Sequence, residues 1–295
     1  MTGGLVPVYR PRPSPLHSAR AGATAALCGS LALVCALYEN PLVLVAVVAA
    51  VTGAGLAAVV ASEMARAARL ALPLALLVTA INPLVYAEGQ TLLVRGGSFL
   101  GHRFDVTLEA LAAGGLAGLR VAAFTMVAGL FSACVDPDEL LRLFRRVSYR
   151  SALTAALATR LVPVLARDAL RMGDAARCRA QPPGRLAVAR AAVSGALDRA
   201  VDVAAALEVR GYSVGGRPER GHRPASRHDL RVAAGAALVL GAAVAGRIAG
   251  YGSVTEYPTL EVPLGPAELA LGSCVLLAAA LPFAGRSTRL GVARA

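Results

Sequence analysis

Six apolar runs of roughly bilayer-crossing length govern what this chain can fold into, at about residues 21–37, 42–61, 70–85, 108–133, 232–249 and 269–283. A hydrocarbon core of about 30 Å takes roughly 20 helical residues at 1.5 Å each. No water lies inside it to satisfy free backbone groups, so such runs cross as helices. With 56% hydrophobic and only 16% charged residues among 295, the chain has too little polar surface for a soluble body of this size. These features predict an all-α fold, a polytopic membrane helical bundle.

The segments between the runs place their ends. Glu39-Asn40-Pro41 is turn-like and joins the first two runs into a hairpin, and Asn82-Pro83 suits the end or a kink of the third. Gly96-Gly97 falls in a connecting loop over about 86–107, with a short extended piece around 92–100. The fourth run contains Arg120, which is costly in hydrocarbon unless it faces the bundle interior or meets a carboxylate or carbonyl. Gly114 and Gly118 have the spacing that lets two membrane helices approach closely. Asp136 or Asp138 can cap a helix over about 140–149, with Glu139 in its first turn, and its mixed apolar and basic residues mark an interfacial helix.

Arginines in short loops orient the set. Arg10, Arg12 and Arg20 precede the first run, Arg66 and Arg69 fall in the loop after the second, Arg142 to Arg150 follow the fourth, and Arg286, Arg289 and Arg294 close the tail. Four crossings, a cytoplasmic insertion and two more crossings put all of these on the cytoplasmic side, with both termini. The chain then reads as a cytoplasmic segment over 1–20, membrane helices over 21–133, a charged helical region over 134–211, and a linker, two further crossings and tail over 212–295. Residues 1–20 hold no apolar core, so the first run reads as a retained anchor.

The insertion is the unusual part. Residues 151–179 carry Arg160, Arg167, Asp168, Arg171, Asp174, Arg177 and Arg179, while Leu153, Leu157, Leu161, Val164 and Leu165 form an apolar stripe at helical spacing. Gln181-Pro182-Pro183-Gly184 ends this helix and begins another, on which Arg190, Ser194, Asp198 and Asp202 are successive neighbours four residues apart. A competing topology sends 151–169 outward and 186–206 back, but it places Arg171, Arg177, Arg179 and Arg185 outside, against the charge bias. The pair therefore reads as two long amphipathic helices on the cytoplasmic side. Both end in a small residue and an arginine, Cys178-Arg179-Ala180 and Val209-Arg210-Gly211. Small neighbours permit close approach of another protein, and a guanidinium offers five donors and a permanent charge to its carboxylates or carbonyls. Either arginine also complements its helix macrodipole, and Gly211 suits a left-handed cap.

Several chemistries are excluded. All 30 basic residues counted as Lys or Arg are arginine, so no phosphate-loop lysine, kinase-type lysine or lysine Schiff base exists, and any ATP hydrolysis belongs to another chain. The five cysteines form no C-x-x-C pair, and the four histidines lack metal-ligand spacing. No metal or cofactor site and no catalytic residue is read from the chain. The net charge of +12 is spread along the flanks of apolar runs and does not form a basic domain for nucleic acid.

At the two arginine endings the chain resembles the transmembrane coupling subunit, the T component, of energy-coupling factor transporters, the family that includes the cobalt-transport permease. The family's first motif has the form Ala-Gln-x-Ala-Arg-Gly. It becomes Ala175-Ala176-Arg177-Cys178-Arg179-Ala180 here, departing at the Gln, at the small residue before Arg and at the last Gly. The second, Ala-x-Glu-x-Arg-Gly followed by Tyr or Phe, is matched by Ala206-Leu207-Glu208-Val209-Arg210-Gly211-Tyr212. Asp136-Pro137-Asp138-Glu139-Leu140, Leu161-Val162-Pro163 and Arg120 add to the likeness. The resemblance implies an assembly in the cell's inner membrane with two ABC-type ATPases and a small substrate-binding membrane subunit for a vitamin or metal ion. It makes Arg179 and Arg210 ATPase-docking residues, with Cys178, Ala180, Glu208 and Gly211 around them. A self-contained transporter or channel, with Arg120 and Arg247 lining an anion path, is the competing reading. A membrane enzyme is a further one, although no paired carboxylates, His cluster or G-x-S-x-G elbow falls within the apolar runs.

Overall fold

The computed structural model describes residues 9, 12–85, 92–94, 98–99, 102–103, 106–144, 149–181, 183–211, 226–251 and 265–284. The chain divides into two compact units, Met1–Leu140 with Ala225–Ala295, and Leu141–Pro224.

The first unit is the apolar bundle. Helices α1 (Pro15–Ser18), α2 (Ala21–Leu37), α3 (Pro41–Ala57), α4 (Ala61–Val85) and α5 (Leu108–Cys134) are followed by α6 (Pro137–Phe144), which runs across the boundary between the units. Later in the chain come α9 (Arg227–Ile248), α10 (Pro266–Ala280) and a 3-10 turn, Leu281–Phe283. Four segments, Ala61–Pro83, Leu108–Cys134, Arg227–Ile248 and Pro266–Phe283, are long and apolar enough to cross a membrane. Helices α2 and α3 have 17 residues each, or about 26 Å, at the short end of the crossing range. They supply much of the core: Leu31, Val34, Cys35, Tyr38, Val43, Leu44, Val47 and Val51 are fully buried. Cys28 and Cys134 are buried as well, as small apolar side chains.

Local chemistry sets the helix ends. Asn40 Oδ1 accepts from the Leu42 amide at 3.0 Å with Pro41 in the first helical position, and Thr107 Oγ1 accepts from Ala110 N at 3.2 Å to start α5. Ser226 and Asp229 form a reciprocal capping box on α9. Asp136 is the residue that caps α6, accepting from Asp138 N at 2.9 Å.

Two expectations change. Arg66 and Arg69 are not in a loop, because α4 begins at Ala61 and includes them in its opening turns. Ser62-Glu63-Met64-Ala65 continues the helix N-terminally with good helix formers, and a carboxylate there suits the dipole. The extended piece around 92–100 is part of a longer arrangement. Strand β1 (Leu92–Val94) pairs antiparallel with β4 (Val106–Thr107), and β2 (Ser98–Phe99) with β3 (His102–Arg103). The bundle remains all-α, with this short ribbon between α4 and α5. Pro83 lies in the last turn of α4, as its position after Asn82 predicts.

Helices α4 and α5 pack through the small-residue spacing. A Cβ at Gly114 would stand 2.9 Å from the Thr79 carbonyl oxygen, and one at Gly118 2.7 Å from that of Ala75. Backbones this close allow polar bonds between the helices: Thr79 Oγ1 donates to Gly114 O at 3.1 Å and Asn82 Nδ2 to Ala110 O at 3.2 Å.

Two arginines of the first unit, Arg12 and Arg20, tie its parts together. Arg12 pairs with Glu63 at 2.8 Å and also donates to the Val59 carbonyl. The Glu63 side chain is only 4% exposed and accepts from Ser62 Oγ as well, so the charge is almost fully enclosed by partners. Val59 itself has φ +62°, the left-handed region that a β-branched residue rarely enters. Arg20 pairs with Asp229 at 3.4 Å, and its backbone amide donates to the same carboxylate at 2.6 Å. The Ala21 amide donates to Glu139 at 3.2 Å. Tyr38 OH, fully buried, donates to the Ala243 carbonyl at 2.7 Å. Outside the spans, Tyr9 stacks on His17 with ring centroids 5.8 Å apart, and burial, then the Asp136 and Glu139 carboxylates, hold its phenol above the ordinary range.

Candidate functional site

Arg120 lies within α5, a helix long and apolar enough to cross a membrane. Its guanidinium donates to Glu39 Oε1 at 3.0 Å and to the Tyr38 carbonyl at 3.3 Å. Both acceptors come from the turn between α2 and α3, so the arginine meets the carboxylate and the carbonyl that its position calls for. Of the two charges that a self-contained anion path would use, Arg120 is thereby engaged by Glu39, and Arg247 is exposed near the end of α9.

The second unit contains the long charged helices, α7 (Tyr149–Arg177, 29 residues) and α8 (Arg185–Val209, 25 residues). They form an antiparallel hairpin, since Asp168 meets Arg199 and Met172 meets Gly195, pairs whose numbers run in opposite directions. On α7 the sheltered residues include Leu157, Leu161, Val164, Leu165, Asp168, Met172 and Ala176. This is the predicted stripe carried about three turns further. Leu153 has no described side-chain environment. On α8 the sheltered residues are Val188, Ala192, Gly195, Ala196, Arg199, Val203 and Leu207, again at steps of three and four. Arg190, Ser194, Asp198 and Asp202 are exposed, and so are the larger apolar residues Leu186, Val193, Leu197 and Val201. At its middle the hairpin seam uses the small residues Ala192, Gly195 and Ala196 of α8, with Val188, Val203 and Leu207 toward its ends, and leaves Leu186, Val193, Leu197 and Val201 on its surface.

Each helix delivers an arginine at its C-terminal end. Helix α7 stops at Arg177, and Cys178, Arg179 and Ala180 follow in the turn, all exposed. The Arg179 amide reaches back to Ala176 O at 3.4 Å. Arg210 is the C-cap of α8, with its amide bonded to Ala206 O at 3.3 Å. Gly211 has φ +75° and its amide donates to Glu208 O at 2.9 Å, the left-handed termination that glycine permits without strain. Glu208, Arg210 and Gly211 are exposed, and Val209 is 90% exposed. Among the described residues neither Arg179 nor Arg210 has an ion-pair partner, whereas the neighbouring Arg177 is occupied by Asp174 at 3.5 Å. With Asp168 opposite Arg199, Arg179 and Arg210 lie 11 residues from that pair in opposite directions along the hairpin, or roughly 33 Å apart along its axis. The third member of the second motif's tail, Tyr212, lies outside the described residues.

A family model described as CbiQ, cobalt transport protein, matches residues 12–222. The chain belongs to this family. The match takes in α1 to α8 and both arginine endings, and it stops before α9. No curated protein matches the chain. Together with the four crossing-length helices, family membership makes this a membrane protein of a transport family. Among the described residues no three His, Cys, Asp or Glu side chains gather as a metal site.

One residue of the hairpin was hidden from sequence reading. Arg199 looks like one more surface arginine, but its position in phase with Ala192, Gly195, Ala196 and Val203 places it at the edge of the seam, with its side chain 41% exposed and paired with Asp168. The usable signal is an arginine in phase with alanine and glycine on an otherwise apolar row.

Proposed function

We propose that the chain is the membrane coupling subunit of an energy-coupling factor importer, transmitting the movements of two ABC-type ATPases to a separate substrate-binding membrane subunit. The observation that carries this reading is the pair of exposed guanidiniums at the C-terminal ends of the hairpin helices, which have no ion-pair partner among the described residues. A stiff lever with a charged, small-sided tip at each end can be gripped by a second protein and can carry its displacement. The chain has no lysine for nucleotide chemistry of its own, so the energy must come from partners. Arg179, with Cys178 and Ala180, serves one ATPase, and Arg210, with Glu208 and Gly211, serves the other. The substrate, a vitamin or metal ion, is recognised by the partner subunit. In this arrangement the hairpin lies on the cytoplasmic side of the inner membrane, both termini are cytoplasmic, and the six apolar helices cross.

Changing Arg179 and Arg210 together to Glu is the test. Loss of a desolvated interfacial charge contact costs about 2–5 kcal/mol, so the double change lowers the affinity for each ATPase by at least roughly thirtyfold while membrane insertion persists. Undiminished co-purification of the ATPases with the double variant overturns the assignment. Substrate uptake by the purified chain alone in liposomes, at a rate indifferent to ATPases, supports the self-contained transporter instead.

A further inference from the structure

We propose that Asp168 and Arg199 are positioning residues that pin the two hairpin helices at their midpoint, so that the arginine at either end is held at a fixed separation and the two arms move as one body. The inference rests on the coupling role described above and extends it to residues outside both arginine motifs.

Three observations carry it. Arg199 Nη1 and Asp168 Oδ2 are 2.6 Å apart, the shortest ion pair among the described residues and the one that joins α7 to α8. Asp168 is only 24% exposed and has Arg171 at 3.9 Å on its own helix, so its carboxylate is drawn into a small network across the seam. The position is also central: Asp168 precedes Arg179 by 11 residues, and Arg199 precedes Arg210 by 11 residues, about 16 Å of helix in each case. A contact halfway between two load points governs the angle between the arms and the register along them.

The rest of the seam is poorly suited to that task. Its α8 side sets Ala192, Gly195 and Ala196 between Val188, Val203 and Leu207, and among its described apolar residues only Ala176 is buried. Smooth, half-wet apolar surfaces oppose separation, but they tolerate sliding by a turn at little cost because the contact is non-directional. A short charge-assisted bond is directional and is lost within a few ångströms of slip. Polar pairs set into apolar helix seams are best known for fixing register in this way. Isolated exposed ion pairs contribute little to stability. The expected effect of losing this one is therefore on geometry and on coupling, with little change in helix content.

The test uses the full-length chain in lipid nanodiscs with Cys274→Ser, leaving Cys178 as the exposed native thiol and Cys28, Cys35 and Cys134 buried. Val209→Cys supplies the second thiol, and nitroxide labels at 178 and 209 report the end-to-end distance by pulsed electron resonance. The native pair gives a narrow distribution near about 30 Å. Asp168→Asn and Arg199→Gln each broaden it at least twofold with unchanged circular dichroism, and the swap Asp168→Arg with Arg199→Asp restores the narrow distribution. In the assembled transporter each single variant keeps its ATPases and their hydrolysis, but imports less substrate per ATP. An unchanged distribution in both single variants, or broadening that the swap leaves in place, overturns the pin. Absence of any ATPase association with the native chain refutes the coupling role itself while leaving the distance result intact.

Discussion

Replacing Gly118 by Ala and comparing it with Gly115→Ala isolates the energy of backbone approach between α4 and α5. The two glycines lie three residues apart on the same helix, so propensity gains are alike, up to about 1 kcal/mol for Gly to Ala in an aqueous helix. Their surroundings differ completely. A Cβ at Gly118 would lie 2.7 Å from the Ala75 carbonyl oxygen, while one at Gly115 meets nothing within 4 Å. An ordinary carbon–oxygen contact needs several tenths of an ångström more, and the obstructing atom is backbone in the middle of a 25-residue helix. The helices must move apart, which also lengthens the 3.1 Å bond from Thr79 to Gly114 O. Overpacking of this kind costs about 1–3 kcal/mol, so Gly118→Ala should be about 1–3 kcal/mol less stable than Gly115→Ala. At about 2–4 °C per kcal/mol for a chain of this size, the midpoints differ by roughly 2–12 °C. Detergent-solubilised protein heated with a thiol-reactive fluorophore reads this directly, because Cys28, Cys35 and Cys134 are buried until the bundle opens. Equal midpoints for the two variants would refute the close-approach argument.

Other outcomes follow from the same structure. Arg12→Ala leaves the Glu63 carboxylate, 4% exposed, without its cation and frees the Val59 carbonyl. Breaking an enclosed pair in this way costs about 3–5 kcal/mol, measurable in the same thermal assay, and Glu63→Gln combined with Arg12→Ala should recover part of it. Val59→Gly relieves a left-handed valine, worth about 1–3 kcal/mol, against about 0.5–1 kcal/mol of added chain entropy, so the variant should be as stable as the parent or more so. A lower midpoint would count against strain at this turn. In whole cells a membrane-impermeant maleimide should leave Cys178 unmodified, and in inverted vesicles it should label it. Labelling from outside the cell would reject the cytoplasmic placement of the hairpin.

The apolar runs were legible because hydrocarbon length and backbone satisfaction leave few options, and helices α2, α5, α9 and α10 begin or end within a few residues of the runs that foretold them. The start of α4 was missed for a physical reason. Hydropathy marks where a helix leaves hydrocarbon, whereas Ser62 to Arg69 continue it with residues that are helix-favouring and polar at once. The partner class of Arg120 was foreseeable from the cost of a lone charge. The identity of Glu39 was not, because a turn 81 residues away in sequence supplies it. In the hairpin, the α7 stripe was plain from its leucines. The α8 seam was obscured, since Ala192, Gly195 and Ala196 occupy its middle while the conspicuous Val193, Leu197 and Val201 stay outside. The glycine cap at Gly211 followed from residue type alone.

The bond between Arg20 and Asp229 joins positions 209 residues apart. At a synthesis rate of about 5–20 residues per second, roughly 10–40 s pass between the emergence of the two. During that interval Tyr38 has no Ala243 carbonyl to reach, and the flank of α2 that α9 later covers faces lipid or whatever attends the ribosome exit. Biogenesis of this protein therefore includes a long-lived, half-closed stage, and an insertase that shelters α2 should shorten the time to maturity more than one that acts on α4 and α5, which find each other as soon as both are made.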